Sequence, residues 1–275
     1  MDTGANLDPE ARTADVPAPA ATEAPAPPRH PAQIGPFRVL RLLGEGGMGA
    51  VYLGEQQVPV QRLVALKVVH ASLRSPNALA RFTAERQALA RLSHPNVAQL
   101  YEAGTTPDGF PYFAMEYLPA ATLSEYCDQR QLGIRERVAL FVQVCQGVQH
   151  AHQKGIIHRD LKPNNVLVAD IGDQAVPKVI DFGIAKAVDD PLTEGEALTG
   201  AGAIGTPNYM SPEAFQGHAD LDTRADVYSL GIVLYELLAG VRPDDLSPMA
   251  LIRLTMAGQR AEPPRMTGRV LGLDP

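Results

Sequence analysis

Cysteine is scarce in this chain, because only Cys127 and Cys145 occur among its 275 residues. Two cysteines at this separation form neither a disulfide framework nor the ligand spacing of a zinc site. We therefore expect two packed thiols in a reducing compartment. An apolar content of 45% over this length is enough to bury a substantial core in one or two domains.

Long apolar runs and clustered basic residues are also missing. No apolar run reaches the roughly 18 residues that span a bilayer, and the richest one, Tyr228 to Gly240, predicts a buried helix. The N-terminus lacks the charged-then-apolar layout of a signal peptide. A net charge of −7 argues against a nucleic-acid-binding surface. These absences predict a soluble, cytoplasmic protein with no membrane segment and no nucleic-acid partner.

Residues 1–33 are dominated by alanine and proline and contain hardly any large apolar side chain. Such a segment buries too little surface to offset its ordering entropy, so we predict a disordered tail. A proline-rich ligand for a partner domain is the alternative. From Ile34 onwards the pattern changes abruptly to that of a folded domain, which we place at residues 34–275.

Alternating and β-branched runs predict five strands in residues 34–116, with one amphipathic helix that ends before His94. After Leu118 the pattern becomes mainly helical. A long helix runs from Ile134 and closes at Gly155, and a second, Asp226 to Gly240, has almost no polar face. The five predicted strands are Phe37–Leu43, Ala50–Glu55, Arg62–Val69, Val97–Tyr101 and Tyr112–Met115.

A glycine-rich turn, GEGGMGAVY, places Gly44, Gly46 and Gly49 in the pattern GxGxxG. The pattern alone suits a dinucleotide-binding fold or a ligand-free hairpin as well as a phosphate-binding lid. Because Val51 and its neighbours continue as a strand rather than a helix, we favour a hairpin lid whose backbone N–H groups approach a triphosphate. The chain has no GK[ST] sequence at this turn, which excludes a P-loop.

Further signals follow this turn in a fixed order. Lys67 lies in the strand sequence VALKVV, and Glu85 lies on the next helix. The sequences HRDLKPNN (from His158), DFG (from Asp181) and GTPNYMSPE (from Gly205) come after them. The chain resembles a protein kinase, and most of all the bacterial serine/threonine kinases of the eukaryotic type.

The resemblance implies an α+β, bilobal fold. Its small lobe, residues 34–116, would hold a five-stranded antiparallel sheet and one helix. Its large lobe, residues 117–275, would be mainly helical and would lack its last helices. The resemblance also implies a serine/threonine protein kinase that transfers the γ-phosphoryl group of ATP, with Mg²⁺, to a protein substrate.

The same resemblance assigns the catalytic roles. Asp160 would be the base that orients the substrate hydroxyl, and Lys162 would neutralise charge on the transferred group. Asn165 and Asp181 would bind Mg²⁺, whose preference is for hard oxygen ligands. Lys67 needs an anionic partner, because burying a lone ammonium is costly, and Glu85 fits that role while Lys67 holds the phosphates.

The segment from Phe113 to Leu118 resembles the linker between the two lobes. Adenine would be bound by the Glu116 carbonyl and the Leu118 amide, and Met115 would limit the pocket behind it. Three further side chains would pack against the two faces of the adenine ring, namely those of Val51, Ala65 and Leu167.

Regulation is expected in the segment between DFG and Glu213. Arg159 would be an unpaired charge until a phosphothreonine supplies an anion, and autophosphorylation of Thr199 or Thr193 would provide it. Thr206 would instead bridge the two catalytic side chains.

Two features favour a weaker alternative. Residues 243–275 contain at most one clear helix, and the arginine that pairs with the glutamate at position 213 in the family is missing. The alternative is a truncated, catalytically weak ATP-binding scaffold. The missing helices would also leave an apolar flank of the buried helix exposed, which predicts self-association.

Overall fold

The computed structural model describes residues 30–46, 49–70, 76–182, 207–216 and 221–243, together with residues 1, 250 and 253. The side chains of residues 76–79, 81, 85 and 207 lie outside this description. Within the described ranges the chain forms two β-sheets and five α-helices. Residues 2–29 of the predicted tail (residues 1–33) fall outside this description. So do most of residues 244–275, where the sequence predicts that the last helices of the family are missing.

An antiparallel sheet forms the small lobe, in the strand order β1-β2-β3-β4-β6-β5. Four of the five predicted strands are present with small differences at their ends, and the fifth lies further along the chain than predicted. The sheet also has a sixth strand, β1, because Ile34 pairs with Phe37 across a tight turn. The strands are β1 (Gln33–Ile34), β2 (Phe37–Gly46), β3 (Gly49–Gln56), β4 (Arg62–Val69), β5 (Leu100–Thr105) and β6 (Pro111–Glu116), and helix α1 (Pro76–Leu89) lies between β4 and β5.

Each face of this sheet packs into a different core, because side chains alternate along a strand. Val64 and Leu66 of β4 join a small outer cluster with Phe37. Phe113 and Met115 of β6 join the large core that continues into the second lobe. This alternation directs one face of the sheet toward the junction between the lobes.

The predicted strand Val97–Tyr101 was wrong in its position. Strand β5 begins only at Leu100, and Val97 instead makes an isolated parallel bridge to Val179 in the second lobe. Asn96 reinforces this junction, because its side-chain amide donates to the Pro177 carbonyl at 2.8 Å. An apolar run could not reveal that its partner is a strand about eighty residues away.

The second lobe combines helices with a three-stranded sheet. Helix α3 begins at the predicted Ile134 and is followed by Gly155 at φ +74°, a conformation that favours glycine. Helix α3 packs against β9 and α5. The elements are β7 (Ala121–Thr122), α2 (Leu123–Gln129), α3 (Ile134–Gln153), β8 (Val166–Ile171), β9 (Gln174–Val179), α4 (Pro212–Phe215) and α5 (Thr223–Ala239).

Both cysteines lie within the described residues. Cys127 is buried and Cys145 partly buried, both are free, and burial raises the pKa of each thiol. None of the helices in the described ranges has both the length and the apolar content needed to cross a bilayer.

Two helical glycines give a matched test of packing. A Cβ on Gly147 of α3 would lie 2.7 Å from the backbone oxygen of Asn96, whereas a Cβ on Gly231 of α5 would meet nothing within 4 Å. We expect Gly147→Ala to lower the free energy of unfolding by about 1–3 kcal/mol through overpacking. Gly231→Ala should raise it by about 0.5–1 kcal/mol, because alanine loses less backbone entropy. Urea unfolding of both variants is the measurement, and equal effects of the two changes would contradict the described packing.

Candidate active site

The loop between α3 and β8 carries the sequence HRDLKPNN, and a buried carboxylate from α5 fixes its backbone. Asp226, which is 0% exposed, accepts the backbone N–H of His158 at 2.8 Å and that of Arg159 at 2.9 Å. Arg159 has φ +69°, a left-handed conformation that is unfavourable for a residue with a side chain. The two hydrogen bonds hold the loop in this strained form.

Asp226 also contacts His152 of α3, at 2.7 Å from Nε2 to Oδ2. Burial raises the pKa of this carboxyl, but the hydrogen bonds from His152 and from the loop backbone outweigh it and leave the pKa below its ordinary value. Asp226 belongs to none of the motifs quoted from the sequence. The signal was present, since an aspartate in the first turn of an otherwise apolar helix is costly to bury without partners.

Two predicted catalytic residues and one predicted Mg²⁺ ligand lie together on this loop. Lys162 Nζ contacts Asp160 Oδ2 at 2.7 Å. The Asn165 amide nitrogen donates to the Asp160 carbonyl at 2.7 Å and to its carboxylate at 3.1 Å. These contacts orient the Asp160 carboxylate. Because the side-chain nitrogen of Asn165 donates to Asp160, the side-chain oxygen of Asn165 is the atom that could ligate a cation.

Asp181 follows strand β9 and lies beside the lysine of β4. Lys67 Nζ contacts Asp181 Oδ2 at 2.8 Å, and both side chains are mostly buried. Asp181 has φ +65°. Glu85, the predicted partner of Lys67, lies on α1, but its side chain is outside the described residues, so that pairing stays a prediction.

Ile180 joins these two groups of residues. Its backbone N–H donates to the Asn165 carbonyl at 2.9 Å, and its own carbonyl lies 2.9 Å from His158 Nε2. The residue directly before Asp181 is therefore hydrogen-bonded to the loop that carries Asp160.

The residues present fit a hard divalent cation. Asp181 offers carboxylate oxygens and Asn165 an amide oxygen, on segments that are hydrogen-bonded to one another. Mg²⁺ is usually bound by one or two protein ligands plus phosphate and water, so this small donor set suits it. Within the described ranges there is no cluster of three or more His, Cys, Asp or Glu side chains that could hold a metal without such help.

His158 and Phe182 pack against each other, with ring centroids 4.7 Å apart. His158 is buried, its Nε2 faces the Ile180 carbonyl and its Nδ1 accepts the Asp160 N–H at 3.3 Å. Burial lowers the pKa of His158. Leu89 and Leu100 line one small cavity with Phe182 and belong to the same core.

The glycine-rich turn joins β2 to β3, and residues 47 and 48 at its tip are outside the described ranges. A Cβ on Gly44 or Gly46 would meet nothing within 4 Å, so the fold itself does not require glycine at these two positions. Gly49 differs, because at φ +147° its Cβ would lie 2.0 Å from the Val68 carbonyl oxygen. Close packing of β3 against β4 therefore accounts for Gly49 without a ligand.

The predicted adenine-binding residues lie on adjacent strands and on the linker. Val51 pairs with Lys67, and Ala65 pairs with Met115, so these side chains lie on one face of the sheet. Leu167, half-buried, lies on β8 in the other lobe. Glu116 ends β6, and Leu118 follows it in the linker.

The predicted regulatory threonines, Thr193, Thr199 and Thr206, lie outside the described residues. Arg159 is half-buried. Glu213 is half-buried too, and within the described ranges its carboxylate makes no ion pair or hydrogen bond; its charge acts on Arg224 and Tyr228. The resemblance implies a buried carboxylate at this position, whereas Glu213 is only half-buried in the structure.

Comparison with known proteins agrees with this geometry. The family model described as "Protein kinase domain" matches residues 37–252, which is most of the chain. The chain belongs to the protein kinase family.

Bacterial serine/threonine-protein kinases are among the relatives of this kinase domain. Serine/threonine-protein kinase Pkn1 of Myxococcus xanthus is 44% identical over 214 residues, which cover 77% of this chain and 30% of the relative. Serine/threonine-protein kinase PknB of Mycolicibacterium smegmatis is 42% identical over 212 residues, which cover 75% of this chain and 33% of the relative. The chain thus spans about a third of the length of these curated relatives.

A solved structure shares the fold. The crystal structure of the Mycobacterium tuberculosis PknI kinase domain superposes with a TM-score of 0.62 and 26% identity, covering 86% of this chain and 83% of that one. The bilobal α+β architecture expected from the sequence is confirmed.

The kinase domain should lose stability on acidification through His158. Its folded pKa lies below the ordinary value of 6.5, so its neutral form contributes stability that is complete above pH 6.5 and is lost as the pH falls toward the folded pKa. We expect the unfolding free energy to fall by at most about 1.4 kcal/mol per pH unit for this one proton. Urea titrations between pH 7.5 and 5.5 measure it.

The control for this titration is His158→Phe, which keeps a ring against Phe182 but cannot bind a proton. It should be less stable at pH 7.5 and show a shallower pH dependence than the wild type. His94, whose pKa is also lowered by burial, should supply part of the slope that remains. An unchanged slope in His158→Phe would contradict the assignment.

Proposed function

We propose that this chain is a serine/threonine protein kinase domain that transfers the γ-phosphoryl group of Mg·ATP to hydroxyl groups of proteins. One observation carries the proposal: Ile180 hydrogen-bonds both to Asn165 and to His158, and so couples the loop bearing Asp160 to the segment bearing Asp181. A candidate base and two candidate cation ligands thereby lie on segments that are joined by hydrogen bonds.

In this reaction the substrate hydroxyl oxygen forms a bond to the γ-phosphorus while the bond from that phosphorus to the leaving ADP oxygen breaks. Asp160 orients the hydroxyl and accepts its proton. Lys162, held 2.7 Å from Asp160, lies where it can neutralise charge on the transferred group. Asn165 and Asp181 would hold Mg²⁺, which supplies charge neutralisation at the phosphates when bound.

Lys67 positions the phosphates of ATP in this proposal. Its ammonium contacts Asp181 in the described structure, and both groups would face the same triphosphate. A lysine on a rigid strand fixes the phosphates relative to the base, and positioning supplies much of the rate in phosphoryl transfer. The open space above Gly44 and Gly46 leaves room for phosphates to approach the backbone.

Serine and threonine are the proposed acceptors because Lys162 matches the pattern of that class and because the bacterial relatives bear that name. A catalytically weak, nucleotide-binding scaffold is the alternative function. No observation in the described residues favours it, since all four of Lys67, Asp160, Asn165 and Asp181 are present. Self-association and a cytoplasmic location stay predictions.

The decisive variant is Asp160→Asn. It should leave ATP binding nearly intact and lower phosphoryl transfer by about 10²–10⁴-fold, because the substrate hydroxyl loses its base. Transfer from γ-labelled ATP to the chain itself and to myelin basic protein, with ATP affinity measured by calorimetry, separates the two effects. Lys67→Met should also reduce transfer severely, through misplaced phosphates.

The control is Asp170→Asn, which changes a carboxylate of β8 whose partners are Arg130 and Tyr126, and it should retain wild-type transfer. Wild-type phosphorylation by Asp160→Asn would refute the assigned base. ATP binding without transfer by the wild type would favour the scaffold. Mass spectrometry of the same samples locates the phosphate, which we propose to be on Thr199 or Thr193, with Arg159 as the cation that binds it.

A further inference from the structure

An ion pair joins the linker between the lobes to strand β9. Lys178 Nζ contacts Glu116 Oε2 at 2.8 Å, and the two side chains are only 11% and 22% exposed. Glu116 is the last residue of β6, where the linker starts, and Lys178 precedes Asp181 by three positions. The pair therefore connects the two ends of the proposed nucleotide site directly.

Backbone hydrogen bonds surround this pair and limit how it can move. The Glu116 N–H donates to the Gln99 carbonyl at 2.9 Å, and the Gln99 N–H donates to the Glu116 carboxylate at 3.2 Å. The neighbouring Ala98 N–H donates to the Val179 carbonyl at 2.9 Å. Three segments that are distant in sequence, residues 98–99, Glu116 and β9, thus form one closed network.

The position of Lys178 in its sheet adds a link to the adenine end. Lys178 pairs with Leu167 across the β8–β9 ladder, so the two side chains lie on the same face. Leu167 is the predicted contact of the adenine ring from the second lobe. One salt bridge therefore connects the β8–β9 ladder, which carries the predicted adenine contact, to the linker that starts at Glu116.

A mostly buried ion pair is weak support for stability, because desolvation offsets most of the Coulomb attraction, whereas removal of one partner leaves an uncompensated charge. Such a pair has a clearer use in selecting one arrangement of the elements that it joins. We propose that Lys178 and Glu116 are positioning residues that fix the spacing between the adenine-binding backbone of the linker and the cation ligand Asp181. This inference rests on the proposed kinase function.

Loss of the pair should act on ATP more than on the protein substrate. In Lys178→Met the Glu116 carboxylate loses its cation and turns toward water, and the linker shifts relative to β9. An ATP molecule held at its base would then present its phosphates out of line with Asp181, and displacements of about 1 Å can cost up to about 100-fold in rate. We expect the KM for ATP to rise by about tenfold or more, with the KM for myelin basic protein unchanged.

Four variants test the proposal through the KM and kcat for each substrate, with ATP affinity measured by calorimetry. Lys178→Met and Glu116→Gln each remove the ion pair. Lys178→Arg keeps it and should stay within about threefold of the wild-type KM for ATP, because its charge can still reach the carboxylate. The control, Arg38→Met, removes the Arg38–Glu55 pair, whose Arg38 side chain is 59% exposed, and should change neither KM.

The outcomes are distinguishable. An ATP-specific rise of KM in both pair-breaking variants, with recovery in Lys178→Arg, supports a positioning role. A lower melting temperature with unchanged KM for ATP would show that the pair is structural only and would overturn the proposal. If Lys178→Met fails to fold, Glu116→Gln decides alone by the same criterion.

Failure of the kinase proposal looks different. If the wild type binds ATP but transfers no phosphate, the proposed function fails. The positioning role is then judged by ATP affinity, which should weaken in Lys178→Met and Glu116→Gln and not in Arg38→Met. Equal ATP affinity in all variants would reject it in that case as well.

Discussion

The rest of the site depends on the hydrogen bonds that the buried Asp226 carboxylate accepts. This carboxylate is buried at the start of an apolar helix, and its hydrogen-bond donors come from His152 and from the backbone of His158 and Arg159. An isolated buried carboxylate is too costly to persist, so the loop must supply its N–H groups for α5 to pack as it does. The same bonds hold the loop in the strained form that presents Asp160. The same hydrogen bonds therefore determine both how α5 packs in the second lobe and which conformation the loop adopts.

From this anchor a continuous set of contacts reaches both lobes. The loop positions Asn165, whose carbonyl accepts the Ile180 N–H, and the next residue, Asp181, meets Lys67 of the small lobe. The Glu116–Lys178 pair closes a second connection at the linker. Electrostatic catalysis needs groups that are oriented before the reaction, because reorienting dipoles during it raises the barrier. For the proposed transfer reaction, the described contacts would supply that preorganisation.

Local sequence patterns were sufficient for most of the framework. Strand β4 has the predicted bounds, and α3 begins at the predicted Ile134, because alternation and helical periodicity are read within a few residues. Contacts between distant segments were not predictable in this way. The bridge from Val97 to Val179 and the roles of Asp226 and Lys178 depend on residues that the fold brings together, and only the packing shows them. The need for glycine at position 49, which comes from the close approach of the Val68 carbonyl oxygen, was also not predictable from the glycine-rich motif.

Amide hydrogen exchange in Asp226→Asn tests the central dependence most directly. Asparagine has the size of aspartate, but its NH₂ group would face an N–H donor, so at least one loop hydrogen bond is lost. The account predicts faster exchange at the amides of His158 and Arg159, together with severe loss of ATP-dependent phosphorylation. Glu236→Gln, on the same helix, still offers an acceptor to the Tyr209 hydroxyl and should preserve both. Wild-type exchange at the two loop amides with wild-type phosphorylation in Asp226→Asn would contradict the account.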